Sequence, residues 1–320
     1  MISHTVCVHT FSRMPQGGQR VTGCDYVRMR FLHLAFVIAV AVSCTASPAA
    51  STASPSPSPT ESATASPVPS KTPAPRTSNV FVIVMENTSL AVALRSPTLQ
   101  RLAAKYGLAT SYSAVSSPSL PNYLAMTSGS TWGVTDDGYH LLPAGGLGAQ
   151  LTAAGVSWRA YMEGLTSAGC VGSPYPYALK HNPFAYYGGS CPANVVPFDA
   201  LDADLAGNTP SFVWITPGLC HDGHDCAMTE AGPWLEDLVA RIVATPAWRD
   251  RGVLFIVWDE GDGRSSVVPL IVATPGLESR RVDGVYDHYS LLATIEDHFG
   301  LPRLGAAKDA RPLTDLLPAR

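Results

Sequence analysis

The stretch VLFIVWDEGDG, residues 253–263, joins a run of strand-forming apolar side chains directly to two adjacent acids, Asp259 and Glu260. The run lacks the alternation of polar and apolar residues that marks a half-exposed strand, so it predicts a strand covered on both faces. Two neighbouring carboxylates repel each other unless a positive charge lies beside them. The pair is therefore either a solvated turn or part of a cation site.

Similar apolar runs occur along the chain and are separated by segments with helical periodicity. The further strand candidates are VFVIVM (80–85), VSWRAYM (156–162), SFVWIT (211–216) and VVPLIVAT (267–274). Helical segments between and after the runs include SPTLQRLAAKYG, LGAQLTAAG, PWLEDLVARIVAT and DHYSLLATIEDHFG. Strands that alternate with helices predict an α/β fold with a mostly parallel central sheet and helices on both of its faces.

The first 78 residues have the pattern of a leader and a spacer. Residues 1–28 precede Met29, where a typical leader begins, and are interpreted as a misassigned N-terminal extension. Residues 29–44 contain the apolar run FLHLAFVIAVAV, which is too short to span a bilayer and predicts a signal peptide. Residues 45–78, rich in Ser, Thr, Pro and Ala, predict a disordered linker, which leaves 79–320 as the folded domain.

The leader predicts an exported bacterial protein, and Cys44 at its end is a candidate lipidation site. Simple secretion is the alternative to a lipid anchor on the outer face of the cell membrane. Of the seven cysteines, four lie in the folded region, and these allow three disulfide pairings. We favour Cys170 with Cys191 and Cys220 with Cys226, because each pair closes a short loop rich in Gly and Pro. A zinc site is the competing interpretation, although no C-x-x-C spacing is present.

Composition narrows the function classes. The net charge of −4 and the pI near 6.1 give no basic surface of the kind that nucleic-acid binding usually needs, so we set that class aside. A hydrophobic fraction of 46% predicts a sizeable core.

Polar residues follow four of the predicted strands at the point where each strand ends. They are Glu86 with Asn87, Glu163, the segment CHDGHDC (220–226), and Asp259 with Glu260. Ligands of parallel sheets bind beyond the carboxyl ends of the strands, so these side chains are expected to meet at one edge. Carboxylate and amide oxygens suit a hard cation. The competing interpretation is that Asn87 only caps a helix and that the acids lie in solvated turns.

The segment SSPSLPNYLAMTSG (116–129) predicts a helix that begins near Ser119. A hydroxyl at a helix N-terminus lies where free N–H groups favour a phosphate, so Ser119 is either a cap or a nucleophile. A nucleophilic serine needs a base or a metal to activate it. Histidines beside carboxylates, such as His224, could donate a proton, although a loop histidine is more often merely solvated.

Seven segments in order carry a resemblance to a known family: VFVIVMENTS, SPSLPNYLAMTSG, the acid of YMEG, KHNPF, CHDGHDC, WDEGDG and HYSLLATIEDHFGLP. With them the chain resembles the phosphoesterase family of bacterial acid phosphatases and C-type phospholipases, within the alkaline phosphatase superfamily. It is most similar to the mycobacterial-type secreted acid phosphatases. The resemblance implies an alkaline-phosphatase-like fold and makes residues 79–320 a phosphoesterase catalytic domain.

The resemblance also implies a set of site residues and one divalent metal ion, which is Ca, Mg, Mn or Zn. Ser119 would be the nucleophile and His224 the acid that protonates the leaving group. Asn122 and His181 match positions in the phosphate pocket. Pro217-Gly218 departs from the Pro-Asn that relatives often carry, which puts one polar contact of the pocket in doubt. The implied metal ligands are Glu86, Asn87, Ser119, Asp259 and Glu260.

The expected function is therefore a secreted or surface-anchored, metal-dependent phosphatase that hydrolyses phosphate monoesters through a phosphoserine intermediate. Its substrate would be a small-molecule or lipid phosphoester. The first alternative is a C-type phospholipase or phosphodiesterase that uses the same site. The second is a surface binding domain without activity.

Overall fold

The computed structural model describes residues 6–13, 19–27 and 78–318. The chain divides into two compact units, Met1–Pro69 and Ser70–Arg320. In the first unit, β1 (Val6–Arg13) pairs with β2 (Gln19–Val27) in an antiparallel two-stranded sheet. The interpretation of residues 1–28 as an extension stays a prediction. The predicted signal peptide, with Cys44, and the predicted linker up to residue 77 lie outside the described residues.

The second unit is an α/β structure, which confirms the predicted fold class. Its strands are β3 (Val80–Met85), β4 (Gly107–Ser113), β5 (Trp158–Met162), β6 (Val195–Pro197), β7 (Phe212–Thr216), β8 (Val253–Trp258), β9 (Leu270–Ala273) and β10 (Arg281–Asp287). Its helices are α1 (Leu90–Ala93), α2 (Pro97–Lys105), α3 (Ser119–Ser128), α4 (Gly146–Ala153), α5 (Leu201–Ala206), α6 (Met228–Ala244), α7 (Pro246–Arg249) and α8 (His288–Phe299).

The strands form one eight-stranded sheet in the order β10-β4-β9-β8-β3-β7-β5-β6. Every neighbouring pair is parallel except the two that include β9, which runs antiparallel to both β4 and β8. The strands β3 and β8 lie side by side near the middle, and every residue in both is buried. This burial explains why their sequences show no polar alternation.

The core combines this sheet with the helices packed around it. Helix α3 is buried at all ten of its residues, and it packs against α8. In α8, Leu291, Leu292 and Ile295 are buried, as their helical spacing predicts. Gly300 ends α8 in a left-handed conformation, with φ of 66°, which a glycine adopts without steric cost.

Two disulfides join loops of the second unit, Cys170 to Cys191 and Cys220 to Cys226. The favoured pairing of the four cysteines is therefore confirmed. The Cys220–Cys226 bond closes the loop that follows β7. Within the described part of the chain, no helix combines the length and the apolar character needed to cross a membrane.

Candidate active site

The loops after β3, β5, β7 and β8 meet at the carboxyl edge of the sheet. Met85 pairs with Trp258, so Glu86 and Asp259 follow adjacent strands at the same level. Met162 pairs with Thr216 in the same way, which brings the loops after β5 and β7 together. The parallel direction of these strands is what brings their loops to one edge.

Ser119 lies at the first residue of α3, and its side chain is fully buried. Its Oγ is 3.1 Å from Glu86 Oε2 and 3.2 Å from Glu260 Oε1. The hydroxyl has a single proton, so it can donate to only one of these carboxylates at a time. The preceding residue, Pro118, has the extended backbone of an N-cap residue but no side-chain hydroxyl to cap the helix. The N-terminal N–H groups of α3 therefore receive no cap from that side chain.

Asp259 and Asn87 meet across the ends of β8 and β3. The backbone N–H of Asn87 donates to Asp259 Oδ1 at 3.3 Å, and Asn87 has a left-handed backbone with φ of 49°. Asn is one of the few residue types that adopt this conformation readily. Asp259 Oδ2 is buried and has no hydrogen-bond partner among the described residues. That oxygen is therefore free to bind a cation.

His181 stands between two buried carboxylates. Its Nε2 is 3.1 Å from Glu86 Oε1, and its Nδ1 is 3.2 Å from Asp222 Oδ2. Neither contact has the geometry of a hydrogen bond. Glu86 Oε1 instead accepts a hydrogen bond from the Tyr123 hydroxyl at 2.7 Å. Glu86, His181 and Asp222 together form a group whose ligand atoms lie within 4.8 Å of one another, close enough to hold one metal ion.

The acids of this site have shifted pKa values. Burial, followed by the charges of Asp259 and Asp222, raises the pKa of Glu86 well above its usual value. Burial raises the pKa of Asp222 to about 7, and burial with the charge of Glu260 raises the pKa of Asp259 to about 8. Burial also holds the pKa of His181 well below its ordinary value. The site therefore resists the ionisation of its own carboxylates in the absence of added positive charge.

These residues fit a divalent cation. The four carboxylates of Glu86, Asp222, Asp259 and Glu260 are buried, and Asp222 Oδ2 and Asp259 Oδ2 have no hydrogen-bond partner among the described residues. Carboxylate and hydroxyl oxygens suit a hard cation, and the imidazole of His181 adds a nitrogen ligand that zinc or manganese accepts. The site brings together the carboxylates and the serine of the predicted ligand set, and it adds Asp222 and His181 beside them.

Asn122 lies one turn along α3 from Ser119, but its side-chain amide is used by the preceding loop. Its Oδ1 accepts from the N–H groups of Val115 and Ser116 at 3.1 and 2.9 Å. Its Nδ2 donates to the carbonyl oxygens of Ser116 and Pro118 at 2.9 and 3.1 Å. In this arrangement the amide holds the loop that leads into Ser119, instead of pointing a free donor at a phosphate.

His224 lies at the more exposed side of the site. Its Nδ1 is 2.7 Å from Asp225 Oδ1, and its Nε2 is 3.2 Å from Lys180 Nζ. Its backbone N–H donates to Asp222 Oδ1 at 2.7 Å, so the same loop positions a buried acid and a half-exposed histidine. A neighbouring carboxylate at Nδ1 suits a histidine that carries a proton on Nε2 during part of a reaction.

The segment after β5 contacts the loop after β7 through one acid. Glu163 Oε2 accepts from the backbone N–H of Gly218 at 2.7 Å, and Glu163 Oε1 lies 2.8 Å from His221 Nδ1. A Cβ added at Gly218 would lie 2.8 Å from Pro176 Cβ, so a larger residue requires Pro176 to move. The departure from Pro-Asn at Gly218 therefore goes with a close contact to Pro176 in this chain.

Four residues beside the site are not among the predicted site residues: Tyr123, Asp137, Lys180 and His288. His288 Nε2 is 2.5 Å from the carbonyl oxygen of Asp259, and its Nδ1 is 2.9 Å from the Tyr112 hydroxyl. Lys180 lies beside His181 in KHNPF, so that motif gave a signal for it. Asp137 sits in the segment TDDGYH, whose composition indicates only a turn.

Comparison with known proteins gives a consistent result. A model of the Phosphoesterase family matches residues 93–302, a range that begins just after Glu86 and Asn87. The phosphate-repressible acid phosphatase of Penicillium chrysogenum is 30% identical over 243 residues, covering 70% of this chain and 59% of the relative. The phosphatidylinositol-3-phosphatase of Mycobacterium tuberculosis is 30% identical over 253 residues, covering 76% of this chain and 83% of the relative. The chain thus spans under two thirds of the length of the fungal relative.

Solved structures share the fold at low sequence identity. A protein of the alkaline phosphatase superfamily from Vibrio parahaemolyticus has a TM-score of 0.56 at 12% identity, over 77% of this chain and 71% of that one. A protein solved with its substrate D-glucosamine-2-N,6-O-disulfate has a TM-score of 0.55 at 9% identity, over 76% of this chain and 80% of that one. At such identities the likeness concerns the fold alone, and it confirms the expected alkaline-phosphatase-like architecture.

Proposed function

The chain belongs to the Phosphoesterase family, and on that premise we propose that it is a metal-dependent phosphatase that hydrolyses phosphate monoesters through a phosphoserine intermediate. The observation that carries the proposal is the position of Ser119. Its buried hydroxyl lies at the start of α3, between the carboxylates of Glu86 and Glu260. Those carboxylates can accept the hydroxyl proton, and the helix N-terminus favours a phosphoryl group beside it.

One divalent cation would be held by Glu86, Asn87, Ser119, Asp259 and Glu260, with Asp222 and His181 close by. When bound, it would supply positive charge that lowers the pKa of the Ser119 hydroxyl and neutralises phosphoryl oxygens. The dominance of carboxylate oxygens favours Ca, Mg or Mn, while the nearby imidazole keeps Zn among the candidates.

In the first chemical step, Ser119 Oγ attacks phosphorus in line with the leaving oxygen. The Oγ–P bond forms, the bond from phosphorus to the ester oxygen breaks, and the serine proton passes to a neighbouring carboxylate. His224 donates a proton to the departing alkoxide, and Asp225 at its Nδ1 stabilises the charged ring beforehand. The N–H groups at the start of α3 can stabilise charge on the phosphoryl oxygens, and such stabilisation is usually a large part of phosphoryl-transfer catalysis.

In the second step, water attacks the phosphoserine from the side that the alcohol has left. His224, now neutral, accepts a proton from this water. The bond from phosphorus to Ser119 Oγ breaks, and the serine recovers a proton from the carboxylate that held it. The products are inorganic phosphate and free enzyme. His224 thus has the same position and opposite roles in the two steps.

The test of Ser119 is its replacement by alanine. Removing the nucleophile should lower kcat for an aryl phosphate by roughly three orders of magnitude or more. Ser117→Ala is the matched control, because Ser117 is exposed and lies two residues away. If Ser119→Ala keeps activity within about tenfold of the wild type, the serine is not the nucleophile, since removal of a true nucleophile costs far more.

The substrate class is the next question, and one relative bears on it. The mycobacterial relative is named as a phosphatase of a phosphorylated inositol lipid. For this chain, that name favours phosphate monoesters as substrates and adds lipids to the candidate substrates. A C-type phospholipase or phosphodiesterase with the same site is the alternative. Turnover of aryl phosphate, phosphoinositides and phosphatidylcholine, compared at one pH with one metal, separates the two. Preference for the choline diester over every monoester would favour the alternative.

A surface binding domain without activity is the remaining alternative. The joint presence of Glu86, Ser119, Asp259 and Glu260 at one buried site argues against it, because a site that had lost its activity should have lost at least one of them. If the purified protein turned over no phosphoester with any divalent metal added after chelation, this alternative would be favoured.

The predicted leader and the disulfides support a proposal for the cellular location. Disulfides form and persist mainly outside the cytoplasm, and two join the second unit. We propose a secreted protein or one anchored through lipid on Cys44. In cells, Cys44→Ser should move the protein from the membrane fraction to the medium if Cys44 is lipidated. An unchanged distribution would favour simple secretion.

A further inference from the structure

Lys180 places a positive charge at the mouth of the acidic site. Its Nζ is 3.1 Å from Asp137 Oδ2 and 3.2 Å from His224 Nε2, and 20% of its side chain is exposed. The next residue, His181, is buried and has no ring nitrogen in a hydrogen bond. Lys180 therefore lies between the solvent and the buried polar atoms of the site.

The charge of Lys180 acts on the site as well as on Asp137. Burial lowers its pKa, but the hydrogen bond to Asp137 and the charges of Asp137, Glu86 and Asp259 outweigh burial, so the net shift is upward. The ammonium group of Lys180 pairs with Asp137, and the other oxygen of Asp137 accepts from the N–H of Leu120, the residue after Ser119.

Asp137 bridges two donors that a phosphate would use. Its Oδ2 contacts Lys180 Nζ, and its Oδ1 accepts from the backbone N–H of Leu120 at 3.0 Å. Leu120 directly follows Ser119, so this N–H is one of the donors at the start of α3 that have no acceptor within the helix. The Asp137 carboxylate therefore accepts hydrogen bonds from both an ammonium group and a helix N–H near the proposed nucleophile.

His224 is affected by the same arrangement. For Lys180 to donate to His224 Nε2, that nitrogen must carry a lone pair, with the ring proton on Nδ1 toward Asp225. In this state His224 has no proton on Nε2 to give to a leaving group. A phosphoryl group that draws Lys180 away would leave Nε2 free to take up a proton.

We propose that Asp137 is an internal substitute for phosphate, which holds Lys180 and the Leu120 N–H until the phosphoryl group of the substrate displaces it. Lys180 is then a phosphate-binding residue, and Asp137 sets how tightly phosphate and phosphomonoesters bind. The inference rests on the proposed function, because it takes Ser119 as the point of attack.

The test compares Asp137→Asn with Lys180→Gln. Asparagine keeps an oxygen for the Leu120 N–H but removes the charge that holds Lys180. The Asp137 carboxylate then no longer competes with phosphate for Lys180. The inhibition constant of inorganic phosphate and the KM of an aryl phosphate should therefore fall by about tenfold. Lys180→Gln should raise both constants by about tenfold or more, because a charged donor to phosphate is lost.

Asp136→Asn is the matched control. Asp136 lies in the same loop and has the same charge, but its Oδ1 accepts from the Gly138 N–H and contacts His140 Nε2. This variant should leave both constants within about twofold of the wild type, since an exposed charge has a small effect. In a Lys180→Gln background, Asp137→Asn should give little further tightening.

Direct binding of inorganic phosphate, measured by calorimetry on the metal-loaded protein, separates this inference from the proposed function. Tighter binding to Asp137→Asn supports the inference even if no phosphoester is turned over. Unchanged or weaker binding overturns it, and an active wild type would still leave the phosphatase proposal standing. Asp137→Ser is the second variant to measure if the asparagine variant is unstable, and the same outcomes apply to it.

Discussion

At the scale of single residues, Tyr123 links two parts of the site. Its hydroxyl donates to Glu86 Oε1 at 2.7 Å, and its ring stacks on His181 with 5.2 Å between centroids. It lies one turn along α3 from Ser119 and is fully buried. Tyr123 does not contact a reacting atom in the proposed mechanism, so it is a positioning residue for the carboxylate and the imidazole.

Tyr123→Phe should therefore weaken metal binding while leaving the fold intact. The phenyl ring keeps the stacking on His181, but Glu86 loses the hydrogen bond that orients it. Loss of such a partner typically lowers metal affinity by about 10- to 100-fold. Titration of activity with metal after chelation measures the change.

Tyr187→Phe is the control for that experiment, because the Tyr187 hydroxyl contacts Thr127 Oγ1 at 3.0 Å and touches no carboxylate of the site. Tyr187→Phe should remove this hydrogen bond without altering the metal affinity. Equal metal affinity in wild type and Tyr123→Phe would remove the positioning role of Tyr123.

The proximity of Glu86, Ser119 and Asp259 could be predicted from the sequence, because each follows directly from the end of a strand or begins a helix. The contacts of Asp137, Lys180 and Tyr123 could not be predicted in this way. They depend on the course of long loops and on which face of α3 turns toward the sheet. No local pattern determines either of these.

At the scale of elements, the start of α8 supports the end of β8. Asp287 Oδ1 accepts from the Ser290 N–H at 3.0 Å, and Ser290 Oγ accepts from the Asp287 N–H at 3.2 Å, which forms a capping box. The first residue of the helix, His288, then contacts the carbonyl oxygen of Asp259. The helix cap thus fixes a residue that holds the backbone of a proposed metal ligand.

Asp287→Ala should lower the free energy of unfolding by about 1 kcal/mol, because the helix loses its cap. Asp287→Ser, which can still cap, should lose much less. Urea denaturation of the three proteins measures the difference. Equal unfolding free energies for the alanine and serine variants would mean that the cap contributes nothing measurable.

Five predicted strands correspond to β3, β5, β7, β8 and β9, while β4, β6 and β10 were not predicted. Strand β10 lies at the edge of the sheet and has only one buried residue, so it has no continuous apolar run. The antiparallel direction of β9 could not be predicted, because the direction of a strand depends on its partners and not on its own residues. Helix α6 begins at Met228, before the predicted segment at Pro233, so this proline lies inside the helix and marks no boundary, although it removes one backbone hydrogen bond.

At the scale of the whole molecule, the site concentrates negative charge inside a protein whose net charge is only −4. Glu86, Asp222, Asp259 and Glu260 are all buried at one edge of the sheet. Ionised carboxylates in such a place destabilise the folded state unless a cation compensates them. Metal binding should therefore contribute to stability as well as to activity.

The metal-free protein should lose stability as the pH rises. Burial raises the pKa of Asp222 to about 7, and burial with the charge of Glu260 raises the pKa of Asp259 to about 8. An unfolded aspartate has a pKa of about 3.9, so the folded state binds more protons between these values. The contribution of these two aspartates to the unfolding free energy then falls with rising pH across that interval. It is largest below the pKa of an unfolded aspartate.

Thermal unfolding between pH 5 and pH 8, with a chelator and with added metal, measures this effect. A divalent ion at about 100 times its Kd should add about 2.7 kcal/mol of stability. The gain should be largest near pH 8 and smaller in Asp259→Asn. An unfolding midpoint that metal leaves unchanged at pH 8 would contradict the proposed cation site.

In the proposed mechanism Ser119 carries the phosphoryl group during turnover, and this phosphoserine can be trapped. The metal-loaded protein would be mixed with an excess of aryl phosphate, quenched in acid, digested and mapped by mass spectrometry. We predict phosphate on the peptide that contains Ser119 in the wild type and in Ser117→Ala, and none in Ser119→Ala. Turnover by the wild type with phosphate on another residue, or with no trapped phosphate and inversion of configuration at phosphorus, would rule out the phosphoserine intermediate at Ser119.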